Sequence, residues 1–496
     1  MKKNYLIFAV LFVTVQAYSQ YTTPGLGTVY TFKGLSEIFT SGVTQESENV
    51  YVVNVDLIIS ANDTLELDNK STIRIGNMKT IIFEGHAEFT PNDTAYITRM
   101  DSTVLDPVNP KGIYLKGENS TGTFKNILFE YNGLRASGKS LDVDNCTFTL
   151  SNIKLASNAI DLLSGKNTVT NSRFIRNVGP AIGSGATSAL ALSFKNNYLL
   201  ENNTNESNRP QINMGAPGDN LIEIIDNIII GKGDITKVGG IAVGNLLAAG
   251  GENNFVIQGN VVKGNRYGIT TNGKMNVKII DNQILDNKYE SNPMNGGSGI
   301  ALYNRNNTQN VMITGNYIEG HLWGITHINS GTSNLGGKVN LGRLDVPESD
   351  VNYNPGKNTF KNNGNNNLWY DLYNNTPFTV YAQGNVWNVA VQDSTSIEKV
   401  ITHKADDPAL GQVIFMHSLT SDVEQISAFP FKVTVTDKKI VLKDLIPAEI
   451  ELYSLNGTSL SAIKNSSFLE VDTLSAGVYV LKVLSDNKMY FTKILL

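Results

Sequence analysis

The 496-residue sequence contains a single cysteine, Cys146. An intramolecular disulfide is therefore excluded, and so are zinc sites of the cysteine type. Stability has to come from packing and backbone hydrogen bonds. Basic runs are equally scarce: the formal net charge is −5, and adjacent basic residues occur only as the pairs Lys2–Lys3 at the start and Lys438–Lys439. No nucleic-acid footprint is present, and bulk charge gives no means of holding a polyanion. The apolar run Tyr5–Val15 is about 11 residues long, short of the roughly 20 that a membrane-spanning helix needs.

That run has a different use. Lys2 and Lys3 precede it, and Ala17-Tyr18-Ser19 follows with small residues where a signal peptidase reads. Residues 1–19 are thus expected to be a cleaved signal peptide, placing the mature chain beyond the inner membrane.

Most of the chain is repetitive. Fragments of the form Ile-x-Gly-Asn-x-Ile recur between about residues 120 and 390 and align without gaps over a short window. A reference column reads Ile127, Cys146, Ser172, Asn197, Asn227, Asn260, Asn282, Asn316 and Asn385. Two places later stand Phe129, Phe148, Phe174, Leu199, Ile229, Val262, Ile284, Ile318 and Trp387, all large and apolar. Immediately before the reference only Asn, Asp and Gly occur, from Asn126 to Gly384, the residues that tolerate a left-handed backbone. Five places after it lies a second polar column, Asn132, Ser151, Asn177, Asn202, Asn265, Asn287 and His321. Asparagines at one point of successive turns can bond amide to amide at about 4.8 Å. A structural ladder is therefore expected through Asn197, Asn227, Asn260, Asn282, Asn316 and Asn385. Reference positions are mostly 19 to 34 residues apart, and the 69-residue gap between Asn316 and Asn385 leaves room for irregular coils.

Short strands, a tight turn at fixed phase and stacks of like residues describe a solenoid in which each coil bonds to its neighbours. The sequence resembles the right-handed parallel β-helix superfamily, including the pectate-lyase-like proteins, over residues 48–400. Residues 20–47 are expected to cap the first coil, whose open edge would otherwise invite pairing. Residues 401–425 read as linker.

Residues 426–496 change character, with short alternating runs such as Lys432–Val435, Ile440–Leu442, Ile450–Tyr453 and Gly477–Val483. Spaced strands of this kind indicate a small immunoglobulin-like β-sandwich. Leu452-Tyr453-Ser454-Leu455-Asn456-Gly457, the stretch Val471–Tyr479 and the terminal Lys493-Ile494-Leu495-Leu496 resemble the sorting domain of the type IX secretion system. Its usual aromatic-Pro-Asn-Pro opening is degenerate here as Phe429-Pro430-Phe431. The resemblance implies recognition by the type IX machinery and delivery to the outer cell surface or the medium. The fold class expected is thus all-β, a parallel β-helix followed by a β-sandwich.

Chemistry is less legible. The paired aspartates of the polygalacturonase type are missing, since the only Asp-Asp, Asp406-Asp407, falls in the linker. Asp226 and Asp281 share the turn column, but two coil steps put them about 9.6 Å apart, too far to share one ion. Lys263, Arg266 and Glu319 are the candidates for a base with a cationic neighbour, as a lyase acting on uronates would use, and such an enzyme could require calcium. Scattered solvent-facing charges explain them equally well. His321 and His327 are read as structural, His321 because it occupies the second polar column. Seven places after the reference stand Tyr267, Tyr289 and Trp323, which facing outward would give a platform for sugar rings and facing inward would fill the core. Two classes stay open: a non-catalytic binder of glycan or another surface polymer, which is preferred, and a polysaccharide lyase or glycoside hydrolase. No cofactor is expected for the binder.

Overall fold

The computed structural model describes residues 19–100, 109–153, 156–304, 309–329, 338–416, 431–436, 439–443, 448–454, 458–472, 474–475, 477–485 and 488–496. The expected signal peptide lies outside the described residues apart from Ser19. Within them the chain is half strand and winds through three long sheets. Sheet A has 14 strands, from Gln20–Thr22 to Ile401–Thr402. Sheet B has 14, from Val29–Thr31 to Val413–Ile414, and sheet C has 13, from Val43–Ser47 to Thr359–Lys361. Successive strands pass from sheet A to B to C and back, and each pairs in parallel with its equivalent one coil away, except Val43–Ser47, which forms an antiparallel hairpin with Val50–Val53 at the edge of sheet C. This is a right-handed parallel β-helix.

The repeat columns explain the winding. The turn column is the corner between sheets B and C, where Asn126, Asn145, Asn171, Asn196, Asp226 and Asp281 hold φ between 50° and 59°. Only short polar side chains or glycine take that conformation cheaply. At Gly259 the need is double: φ is 67°, and an added Cβ would meet Asp226 Oδ1 at 2.0 Å. The apolar columns face inward. Phe129 and Phe148 stack at 4.5 Å between centroids, and Phe148 and Phe174 at 5.0 Å.

Two buried ladders run beside this core. In the first, Asn197 Nδ2 donates to Asn227 Oδ1 at 3.0 Å, and the Asn227–Asn260, Asn260–Asn282 and Asn282–Asn316 steps repeat it at 2.9 Å. Asn316 then bonds not to Asn385 but to Asn358, which bonds to Asn385, both at 2.9 Å. The long gap thus contains one more complete coil, hidden because the loop ahead of it disturbs the spacing and Lys357 stands at its turn position with φ 58°. The second ladder continues past His321 to Asn363, whose Nδ2 reaches the buried Asp371 at 3.2 Å.

Both ends are closed. At the first coil the helix Phe32–Ile38, capped by Thr31 accepting from Gly34 N at 3.0 Å, buries Phe32 and Leu35 against the core. At the other end the helix Ser394–Ile397 buries Ile397. The stack also runs beyond residue 400: Ile401–Thr402 pairs with Leu372–Tyr373 and Val413–Ile414 with Val380–Tyr381. The first part of the segment read as linker therefore belongs to the helix, because its alternation is only two residues long in each strand.

After residue 431 two antiparallel sheets of three and four strands form a small β-sandwich with its own core, including Ile440, Leu442, Ile450, Leu452, Leu481 and Val483. Tyr479 OH donates to Ser475 O at 2.6 Å and ties one strand to the preceding turn.

Candidate functional site: a groove on sheet A

The three charged candidates do not converge. Lys263 and Glu319 share one outward row of sheet C, with Leu285 between them. Lys263 pairs with Asp286 at 3.7 Å, and Glu319 pairs with Lys361 at 3.5 Å and accepts from Tyr317 OH at 2.8 Å. Exposed pairs of this kind are solvated surface charge. Arg266 lies around the corner, on the sheet A side, where Asn208 and the carbonyl of Asn295 hold its guanidinium.

Nor do the aromatics form one column. Ser298 registers with Trp323, and Ile269 with Ile300 and Ile325, so the residue between Tyr267 and Trp323 in this row is Ser298. Tyr289 sits in a loop that lengthens this corner before Ser298, and counting from Asn282 cannot detect that insertion. Tyr267 packs over Gly239, where an added Cβ would come within 2.1 Å of its ring. Burial raises its phenol pKa, opposed by Arg266. Trp323 stacks on Tyr373 at 5.3 Å and meets the tilted ring of Tyr370 at 4.6 Å, with its indole N–H donating to Pro293 O at 3.0 Å.

Both histidines are buried in the coil. His321 Nδ1 accepts from Asn287 N at 3.1 Å and its Nε2 meets Ile284 O at 3.0 Å. Desolvation lowers both His321 and His327 to about 4.

A long cleft lies elsewhere, along the outer face of sheet A. Its floor follows one row of registered residues, Arg135, Asp161, Gly183, Asn213, Ala242, Thr270 and Ala301, with Asn158 lying over Gly183. Six coil steps give it a length of about 29 Å, and it encloses about 730 Å³. Small residues in the centre of the row, with Gly185, Gly215 and Gly244 beside them, keep the floor low. Corner loops between sheets C and A raise a wall containing Arg209, Arg266 and Tyr267, while Leu246 and Tyr303 stand opposite.

Three arginines thus line the groove, and Asp161 is the single carboxylate among its described lining residues. The Asp161 side chain is 15% exposed, accepts from Asn158 Nδ2 at 2.7 Å and lies 3.9 Å from Arg135 Nε. Burial pushes its carboxyl up, and the Asn158 amide, Arg135 and Arg209 act against that shift. One carboxylate is a poor nucleus for a calcium site, which takes six to eight oxygen ligands.

A second cluster, Glu398, His403 and Asp406, is compact enough to suggest a metal. Its hydrogen bonds argue otherwise. His403 Nδ1 accepts from Val413 N at 2.9 Å, so the ring proton is on Nε2, 2.7 Å from Glu398 Oε1. No imidazole lone pair is left for an ion. The pair ties the last strand of the helix to the turn before it.

Arg135, Asp161 and Arg209 escape a reading based on the asparagine columns, because corner loops of unequal length separate those columns from sheet A. A signal for sheet A does exist: Gly133-Leu134-Arg135, Ala159-Ile160-Asp161, Ala181-Ile182-Gly183, Gly240-Ile241-Ala242 and Gly268-Ile269-Thr270 share a small residue, an inward aliphatic and an outward variable position.

No protein-family model and no curated protein matches the chain. Among solved structures, the periplasmic alginate epimerase AlgG is similar at a TM-score of 0.34 and 11% identity, over 78% of this chain and 84% of that one. A double mutant of the same protein gives 0.39 with equal coverage and identity.

Proposed function

We propose that this is an exported β-helix protein that binds an acidic polysaccharide along the sheet A groove without cleaving it. The observation that carries the reading is the placement of Arg135, Arg209 and Arg266 around one open trough with a floor of small residues. Guanidinium groups recognise carboxylates through paired, charge-assisted hydrogen bonds, and a trough about 29 Å long suits an extended polymer. Arg266 is already held by its neighbours, so little side-chain freedom is lost on binding. Electrophoresis through gels containing acidic or neutral polysaccharide tests this. Retardation by the acidic polymer, weakening with salt, is expected; equal retardation by both would contradict it.

Export is proposed from the two ends of the sequence. Residues 1–19 serve as signal peptide, and the C-terminal β-sandwich, with its separate core, serves as the type IX sorting domain. The protein reaches the outer surface or the medium by way of the periplasm. Deleting residues 426–496 should trap it in the periplasm.

A lyase or glycoside hydrolase is the second reading, and Asp161 is the observation that favours it. A poorly solvated carboxyl beside an arginine is the kind of group that exchanges protons with a substrate. New reducing ends, or absorbance from unsaturated uronates, growing with time and lost in Asp161→Asn, would establish it in place of simple binding.

A further inference from the structure

A smaller cavity opens through the wall of the groove between the loops that lead from sheet C to sheet A. It encloses about 310 Å³ and is bounded by the chain around Ser151–Ile153, Val178–Gly179 and Asn205–Ser207. Ala156, Ser157, Asn158 and Arg209 border both spaces, so the cavity is a side chamber of the groove. Its chemistry differs from that of the groove. Arg209, at the boundary, is the only charged side chain among its described lining residues, and the rest of the lining is amide, hydroxyl, backbone and a few aliphatic groups.

The boundary holds an unfilled acceptor. Asn158 is 7% exposed and lies against Gly183, where an added Cβ would meet its amide at 2.7 Å. Its Nδ2 donates to Asp161, while its Oδ1 has no hydrogen-bond partner. Ser151 Oγ, in a residue 3% exposed on the chamber wall, also lacks one. A buried polar atom without a partner costs about 1–3 kcal/mol; both atoms are closed to solvent, so a hydroxyl donor removes that cost only after a small side-chain shift that opens Asn158 to the chamber.

We infer that the chamber receives a neutral, hydroxyl-bearing sugar attached as a branch to the acidic polymer in the groove. The inference rests on the groove reading above and narrows it to branched acidic glycans. Arg209 marks the junction, contacting backbone carboxylates on the groove side, while a hydroxyl of the branch donates to Asn158 Oδ1. A single sugar unit suits the volume, which is at the small end of the roughly 300–1,000 Å³ typical of ligand cavities.

The test uses the full chain and two probes: an acidic polysaccharide with neutral galactose branches, and the same polymer after enzymatic removal of the branches. The wild-type protein is expected to bind the branched form at least tenfold more tightly. Asn152→Trp and Asn205→Trp, which fill the chamber from outside the groove, should bring the branched form down to the affinity of the debranched one. Equal wild-type affinity for both polymers would overturn the side chamber and leave the groove standing. Binding of neither would overturn both. A preference that survives in both tryptophan variants would place branch recognition elsewhere and also overturn the inference.

Discussion

Gln211 Nε2 donates to Asn265 Oδ1 at 3.0 Å, across 54 residues of sequence. The same side chain accepts from Asn202 Nδ2 at 3.0 Å and donates to Ile230 O at 2.9 Å. Between Asn202 and Asn265 one coil has no ladder residue, since its equivalent position is the exposed Lys232. Gln211 therefore supplies the missing rung from the edge of sheet A, one residue before the strand that carries Asn213 into the groove.

Replacing Gln211 should be costly for that reason. Gln211→Ala leaves the buried Asn202 N–H and Asn265 Oδ1 unpartnered, while Ile230 O keeps its bond from Glu201 N, and about 2–4 kcal/mol of lost stability is expected from these two groups. Gln211→Asn, one methylene shorter, should not restore it. Denaturant midpoints of both variants check this.

Asn358 makes the same case for the first ladder. It is fully buried, accepts from Asn316 and donates to Asn385. Asn358→Ala should cost about 2–3 kcal/mol, whereas truncating the exposed Asn77, whose φ is not positive, should change stability by less than about 0.5 kcal/mol. Thermal unfolding of the two variants measures the difference.

The buried histidines set the acid limb of stability. Both His321 and His327 are lowered from 6.5 to about 4, so the fold requires them neutral. Their contribution is complete above the unfolded value and is lost as pH falls from about 6.5 towards 4. Asp371, pushed up to about 7 by burial, acts in the opposite sense, losing stability as pH rises from about 4 to 7. His321→Asn puts the usual ladder residue in that position and should reduce the slope of stability against pH in this window by about one proton. An unchanged slope in pH-dependent urea unfolding would show that His321 is not the group responsible.

Calcium removal should leave glycan binding unchanged. Asp161 is the only carboxylate among the described groove-lining residues, and an ion held by one carboxylate and water would bind weakly. Retention in affinity gels with and without a chelator checks this.

The solenoid was legible because its constraints are strict at single positions. Asn171 must turn with positive φ, Asn227 must bond to both neighbouring coils, and Phe148 must fill a fixed layer of core. Residues such as Asn227 therefore recur in register and can be aligned by eye. The groove has no such repetition. Arg135, Asp161 and Gly183 occupy equivalent places yet share no chemistry, because outward positions are free of packing demands. Tyr289 illustrates the limit of the repeat: the spacing from Asn282 holds as far as Asn287, which bonds to Asn265 in the ladder, and the loop that follows shifts the register.

The central claim is that groove arginines, not the charge of the protein as a whole, hold an acidic polymer. Its most direct test is to compare the dissociation constants of two double variants for an acidic polysaccharide. Arg135→Ala/Arg209→Ala removes two charges from the groove, and Lys263→Ala/Lys361→Ala removes two from the outer face of sheet C. The groove pair is predicted to weaken binding about 100-fold, which is about 1.4 kcal/mol for each arginine, while the sheet C pair leaves it within about twofold, as expected for solvated surface charges. Equal losses in the two variants would contradict the account.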